Sequence, residues 1–232
     1  MPLGRPRALP LRTALVMVLF QLRHNLAEDV CGELFGCSPA TVWRYADELE
    51  PLLDAVLSVL AEQVTGQARR GGVLVDGFVA PVGERDAVTG LFSGKKHLSG
   101  QNVQVVANLQ GRVVDVGDPC PGSMYDSRAF TESGLAARWA AHIQTGGPGM
   151  IGDKGYQGTG LITPTKKPPG RDLTEVQQAC NTALNRIRAA VERTIAHLKN
   201  WKILKTGYRR SLHRFAAVLR TVTKLEMYRV YG

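Results

Sequence analysis

The chain has 232 residues, 44% of them hydrophobic and 21% charged, which suits a soluble globular protein with one sizeable core and a smaller unit beside it. Its 29 Lys and Arg against 20 Asp and Glu give a formal net charge of +9, so the surface favours polyanions, nucleic acid first and anionic membrane second. The four cysteines, Cys31, Cys37, Cys120 and Cys180, show no paired spacing and no histidines at ligand spacing, which argues for reduced thiols in a cytoplasmic protein and against a structural zinc site.

The apolar stretch Ala14 to Leu22 follows Arg5, Arg7 and Arg12 in the manner of a signal peptide. It runs straight into Arg23, His24 and Ala27-Glu28-Asp29 with no small-residue cleavage site, so it reads as a buried helix, and no other stretch is long enough to span a bilayer. Leu26, Val30 and Leu34 then recur at helical spacing up to Gly36, a helix stop. Ser38 as N-cap and Pro39 at the first helical position open another helix to about Leu49. Two helices joined by so short a turn form a helix-turn-helix or part of a plain bundle. In the first case Ser38, Thr41, Trp43, Arg44 and Tyr45 stand where a DNA reader presents side chains to a major groove. Trp43, Trp139 and Trp201 read as core or interface anchors.

The polar, glycine-ending segment from Gln67 to Gly72 marks a boundary between a helical unit over 1–66 and a second unit over 72–232. Strand signals follow at Val73 to Val79, about Ala87 to Phe92, Asn102 to Leu109 and Arg112 to Val116, with a turn at Asn108 to Gly111. A helical stretch spans about Asp126 to His142, a short apolar strand spans Gly149 to Gly152, and a glycine- and proline-rich loop runs to Gly170. Thr174 with Gln177 three positions on is a capping box for a long helix reaching about Lys199. The class is α/β.

Within the strand at 73–79 stands Asp76, a carboxylate in an apolar run where ionisation is costly unless a cation or several donors hold it. Asp153 follows the short strand in Gly-Asp-Lys-Gly-Tyr. Glu192 shares one face of the long helix with Asn185, Arg188 and Lys199, beside an apolar stripe of Ile187, Val191, Ile195 and Leu198. Read singly, Asp76 is a buried aspartate satisfied by donors, Asp153 is turn chemistry, and Glu192 is a partner of Arg188. Brought together, the three stay ionised only if divalent cations hold them, and oxygen-only ligation suits Mg²⁺ or Mn²⁺. Two such ions roughly 4 Å apart serve phosphoryl transfer.

Lys95, Lys96 and His97 read equally as a solvated strand edge or as phosphate contacts. Lys199, Lys202, Lys205, Arg209, Arg210 and Arg214, interleaved with Trp201 and Tyr208 and lacking balancing acids, read as a DNA track.

These residues carry a resemblance. Asp76, Leu91-Phe-Ser-Gly-Lys-Lys96, Asn102-Val-Gln-Val-Val106, Pro121-Gly-Ser-Met-Tyr-Asp-Ser-Arg128, Gly152-Asp-Lys-Gly-Tyr-Gln-Gly158 and the Asn185, Arg188, Glu192 and Lys199 spacing resemble the IS5-type insertion-sequence transposases, relatives of the Harbinger transposases. The resemblance covers nearly the whole chain. It implies a ribonuclease-H-like mixed sheet flanked by helices, preceded by a small all-α helix-turn-helix domain. It further implies a catalytic, metal-binding triad of Asp76, Asp153 and Glu192 with two Mg²⁺ ions, and recognition of terminal inverted repeats and target DNA by a protein that is dimeric or higher when assembled on DNA. Arg188 and Lys199 match the basic members of the glutamate signature, whose usual tyrosine is Asn185 here.

Asp126 competes for the second aspartate, since Pro-Gly-Ser-x-x-Asp is also a family motif, usually with His at the position of Tyr125. A ribonuclease-H core places that aspartate after its fourth strand, which selects Asp153 and leaves Asp126 as an N-cap. Two other functions stay open: a transposase-derived DNA-binding protein without turnover, and a repair or RNA-processing nuclease on the same scaffold.

Overall fold

A computed structural model describes residues 7–83 and 88–232. The N-terminal helices are α1 (Leu11–His24), α2 (Glu28–Phe35) and α3 (Pro39–Ala68). α1 turns Ala14, Met17, Val18, Gln21 and Leu22 inward, as the apolar stretch predicts. α2 stops at Gly36, whose φ of 67° puts it in the left-handed region, and Ser38 Oγ accepts from the Thr41 amide at 3.3 Å with Pro39 behind it. The turn between them folds back tightly: a Cβ on Gly32 would stand 2.5 Å from the Cys37 carbonyl oxygen, so only glycine fits there.

α3 does not stop near Leu49. It continues through Pro51 to Ala68, so the expected linker shrinks to the few residues before Val73. An interior proline costs a helix about 3 kcal/mol. Here Leu57 and Val64 keep one face buried beyond Pro51, and the lower half of α3 packs along a C-terminal helix. Tertiary burial overrides the local stop signal.

Among the described residues the sheet has six strands: β1 (Val73–Pro81), β2 (Phe92–Ser93), β3 (Leu98–Asn108), β4 (Val113–Val116), β5 (Cys120–Pro121) and β6 (Met150–Ile151). β1 runs antiparallel to β3, with Asp76 opposite Val105 and Gly77 opposite Gln104, and parallel to β6, with Leu74 beside Ile151. β3 also pairs antiparallel with β2, β5 and β4, and its register shifts between Val106 and Ala107. The order β4-β3-β1-β6, with a single parallel neighbour, is the mixed sheet expected of a ribonuclease-H-like core. Of the strand expected over 87–92, Ala87 lies outside the described residues and only Phe92 pairs, joined by Ser93.

The helical stretch expected over 126–142 is three short helices, α4 (Asp126–Glu132), α5 (Leu135–Arg138) and α6 (Ala140–Ile143). Gly134, at φ 79°, breaks the first from the second. α7 (Glu175–Lys199) starts at the expected capping box, with Thr174 and Gln177 satisfying each other's backbone amides. α8 (Phe215–Tyr231) was not anticipated, although Phe215, Val218, Leu219, Val222 and Leu225 recur at helical spacing and are all buried. α8 packs against α3 and β4, so one buried cluster runs from Leu9 through the sheet to Met227.

Candidate active site

Side chains alternate along a strand, so Leu74, Asp76 and Phe78 share one face of β1. That face meets α7. Leu74 packs with Ala107, Ala190 and Val191, and the Lys199 ammonium lies 5.1 Å above the Phe78 ring. Asp76 is therefore partly buried among apolar neighbours. Its Oδ1 accepts from the Gly77 amide at 2.8 Å and its Oδ2 from Arg188 Nη2 at 3.4 Å. Burial pushes its pKa above the ordinary carboxylate value, Asp153 and Asp126 push the same way, and the Gly77 amide and Arg188 oppose without prevailing.

Arg188, expected on DNA, instead has its side chain 13% exposed and turned onto Asp76. Its Nε is buried with no hydrogen-bond partner. The charge of Asp76 thus holds it inside, between α7 and β1.

Asp153 follows β6 at the level of Asp76, because β6 runs parallel to β1. Its Oδ1 accepts from the Gly155 amide at 2.7 Å and caps the short 3₁₀ turn Lys154–Tyr156, so the turn chemistry is real but engages one of its two oxygens.

Asp126 departs from expectation. Tyr125 is the N-cap of α4, with no side-chain capping bond, and Asp126 is the first residue inside the helix. Its carboxylate turns to the sheet: Oδ1 accepts from Asn102 Nδ2 and Gln104 Nε2, both at 3.3 Å, and Oδ2 pairs with Lys95 Nζ at 3.3 Å. It fills the space that a side chain at Gly77 would need, where a Cβ would stand 2.8 Å from Asp126 Oδ1. Asp76 thus approaches β1 from the α7 face, Asp126 from the opposite face, and Asp153 from the end of β6. Tyr156 registers the convergence: burial raises its hydroxyl pKa well above the usual tyrosine value, and Asp126, Asp76 and Asp153 all add to the rise.

Asn102, Gln104 and Tyr156 carry no assigned role in the sequence reading. The same signal that marks Asp76 could have found the first two, since both are polar positions alternating with Val103 and Val105 in an apolar strand.

The cleft formed here, about 360 Å³, is lined by Asp76, Lys95, Lys96, Asn102, Asp126 and Gly155 among others. Glu192 lies on the exposed side of α7 and lines the adjoining groove with Phe78, Lys96 and Lys199. Gly77, Phe78, Val79 and Lys96 border both spaces, so Glu192 is next to the aspartates without standing among them. Lys199 is half-buried there. Burial lowers its pKa first, with Lys96 and Lys205 adding to the fall, as befits cations gathered without their anion. Ile187, expected in the apolar stripe, is 42% exposed.

Among the described residues no three acidic, histidine or cysteine side chains form a ready cage for an ion. The donor chemistry nevertheless fits a hard divalent cation. Three carboxylates act on one small region, and among the described residues their ion-pair partners are Arg188 and Lys95, with neither a thiol nor an imidazole lining the cleft.

The helix-turn-helix presents Pro39, Ala40, Trp43, Arg44, Asp47 and Glu48 to solvent and turns Thr41 and Tyr45 inward. Thr41, expected at DNA, is 8% exposed and bonds Ser38 and Arg44; the Ser38 hydroxyl is engaged as the cap; Tyr45 accepts from and donates to the Leu9 backbone. Trp43, expected to be an anchor, is 50% exposed, with the Arg214 guanidinium 5.8 Å from its ring. The acids of this face are paired, Glu48 with Arg7 and Asp47 with Arg214.

The expected C-terminal basic track divides. Lys205 and Arg209 are exposed and Lys202 is half-buried, whereas Arg210 is 10% exposed and holds Glu50 at 2.5 Å and Gln21 at 2.6 Å. Arg210 joins the loop to α1 and α3, and this buried pairing removes it from the DNA surface.

A carboxylate cleft on a mixed sheet, carried with a helix-turn-helix on a basic chain, defines an enzyme that acts on nucleic acid. Residues 75–225 match the family model for the DDE superfamily endonucleases, and residues 7–58 match the helix-turn-helix of DDE superfamily endonucleases. The chain belongs to this family, whose members generally depend on divalent metal. It is 34% identical over 205 residues to a protein from Streptomyces albus G named as a transposase for insertion sequence element IS112, covering 87% of this chain and 74% of that one. It is 28% identical over 223 residues to one from Microchaete diplosiphon named as a transposase for insertion sequence element IS702, covering 91% and 78%. No solved structure matches it significantly. No helix among the described residues is long and apolar enough to cross a membrane.

Proposed function

We propose that the chain is a DNA transposase that cuts the ends of an insertion sequence and joins them to target DNA, and that it belongs to the IS5-type branch of its superfamily. The reading rests on one observation: Asp76 on β1 and Asp153, just past the end of the parallel neighbour β6, each stand two residues beyond the paired Leu74 and Ile151, and Lys95, Lys96 and Lys199 line the cleft at Asp76 and the groove adjoining it. In this reading residues 1–66 read the terminal inverted repeats and residues 72–232 carry the chemistry.

Asp76, Asp153 and Glu192 are the catalytic triad and hold two Mg²⁺ or Mn²⁺ ions. Bound there, the ions supply Lewis-acid stabilisation of the phosphate and activation of the attacking water or 3′-hydroxyl. Asp76 is anchored by the Gly77 amide, which fixes one oxygen while the other faces Arg188. Asp153 is oriented by its own 3₁₀ turn. Glu192 would supply the third carboxylate from α7, at the border of the adjoining groove. Lys96 and Lys199 hold the DNA phosphates along the adjoining groove, and the crowding of these cations favours a polyanion. Arg44, Lys202 and Arg209 add contacts to the duplex, and the assembly on DNA is a homodimer or larger, acting at the nucleoid.

The test is Mn²⁺-dependent cleavage of DNA carrying the element's inverted-repeat ends by Asp76→Ala, Asp153→Ala and Glu192→Ala variants. Each is expected to lose cleavage while still binding the DNA. Full activity in Asp153→Ala would overturn the triad, and binding without any nicking by the intact chain would leave a DNA-binding protein without turnover.

A further inference from the structure

The network behind the cleft gives Asp126 a part that the three-residue triad omits. Asn102, Gln104 and Tyr156 are polar side chains 3%, 0% and 0% exposed in the middle of the core, where burial is costly unless every group is partnered. They are partnered in a chain that ends on Asp126. Tyr156 Oη donates to Gln104 Oε1 at 2.5 Å, and Gln104 Nε2 donates to Asn102 Oδ1 at 2.8 Å and to Asp126 Oδ1 at 3.3 Å. Asn102 Nδ2 donates to the Met124 carbonyl at 2.8 Å, fixing the segment that leads into Asp126.

This arrangement does two things. It aims the Asp126 carboxylate over Gly77, which has no side chain to obstruct it, toward the segment of β1 that carries Asp76. It also couples Asp126 to the Asp153 loop, because Tyr156 belongs to the turn that Asp153 caps. The amides orient Asp126 without neutralising it. Among the described residues its cation is Lys95, whose side chain is 72% exposed and readily displaced. An aspartate needed only to start α4 would cap the helix, and this one does not.

We propose that Asp126 is a fourth carboxylate of the metal site, binding divalent cation together with Asp76 and Asp153, and that Gln104 and Tyr156 are its positioning residues. The proposal rests on the metal-dependent reading above. On this view Asp76 is fixed by its strand, Asp153 by its 3₁₀ turn and Asp126 by a buried side-chain relay. Lys95 holds the place of the cation on Asp126 until the ion arrives.

The test is Mn²⁺ binding to the full chain without DNA, followed by electron paramagnetic resonance. Asp126→Asn keeps the size and the Oδ1 acceptor for Asn102 and Gln104 while removing the charge, and is expected to weaken Mn²⁺ binding at least about tenfold without lowering the melting temperature measured in EDTA. Tyr156→Phe is expected to weaken it about tenfold, the lower end of the losses seen behind a ligand. If Asp126→Asn does not fold, Asp126→Ser, also compatible with a helix start, is read the same way. A wild-type isotherm for the Asp126 variant, with binding lost in Asp76→Asn, would overturn the proposal and leave the metal reading intact. A wild-type isotherm in Asp76→Asn as well would bring down both.

Discussion

Arg188 reaches from α7 to Asp76 on β1, 3.4 Å away, and the two side chains are 13% and 20% exposed. This pair ties the helix that carries Glu192 to the strand that carries the first aspartate. Replacing Arg188 with Met leaves Asp76 buried and facing Asp126 and Asp153 without its cation. The metal-free protein is expected to lose about 1–3 kcal/mol of stability in urea denaturation. Mn²⁺ is expected to raise the melting temperature of this variant more than that of the wild type, because the ion then supplies the missing charge.

Asp76→Asn is expected to act in the opposite sense without metal. Burial and the two neighbouring aspartates disfavour the charged carboxylate more than the Gly77 amide and Arg188 favour it. Removing the charge is therefore expected to raise the melting temperature in EDTA. The same variant loses stabilisation by Mn²⁺. Differential scanning calorimetry with and without metal reads both halves.

Glu226 gives the fold a pH dependence remote from the active site. It is 2% exposed, and burial alone would raise its pKa, but hydrogen bonds from Arg229 and from Trp201 Nε1 outweigh this and hold it below the usual glutamate value. A depressed folded-state pKa contributes stability that is present above the unfolded value of 4.5 and lost as pH falls through the folded one. Glu226→Gln is expected to cost about 1–3 kcal/mol at pH 7 and to flatten the decline below pH 4.5. Urea midpoints across pH 3–7 make the comparison.

The basic residues near the helix-turn-helix are expected to separate by burial. Arg209→Ala, an exposed position, is expected to leave stability unchanged and to reduce the slope of log affinity against log salt by about 0.9 if it meets one phosphate. Arg210→Ala removes the nearer cation of the buried Glu50 carboxylate, leaving Arg214 at 3.9 Å, and is expected to cost about 3 kcal/mol of stability. Fluorescence anisotropy on the duplex at several salt concentrations, paired with urea denaturation, tells the two apart.

Local chemistry with a short range was legible from sequence. The Ser38 and Thr174 caps, the Gly36 stop, the turn at 108–111, the central strand around Asp76 and the short strand before Asp153 all depend on neighbours a few residues away, and all are present. The anomaly of a carboxylate in an apolar strand identified Asp76 for the same reason, since burial of β1 follows from its own composition. The sequence also sufficed to mark a basic chain of transposase type.

What only the tertiary structure decided is which polar groups face one another. α3 passes Pro51 because α8 covers its far half, a contact between residues more than 150 positions apart. Arg210 and Arg188 look like free cations in sequence and are ion-paired because Glu50 and Asp76 meet them from other elements. Asp126 reads locally as a cap, yet Asn102, Gln104 and Lys95, brought over it by β3 and its hairpin, turn it into the cleft. Charge and hydrogen-bonding capacity are properties of a residue, whereas desolvation and partnership belong to the packed chain, and those set the geometry of the site.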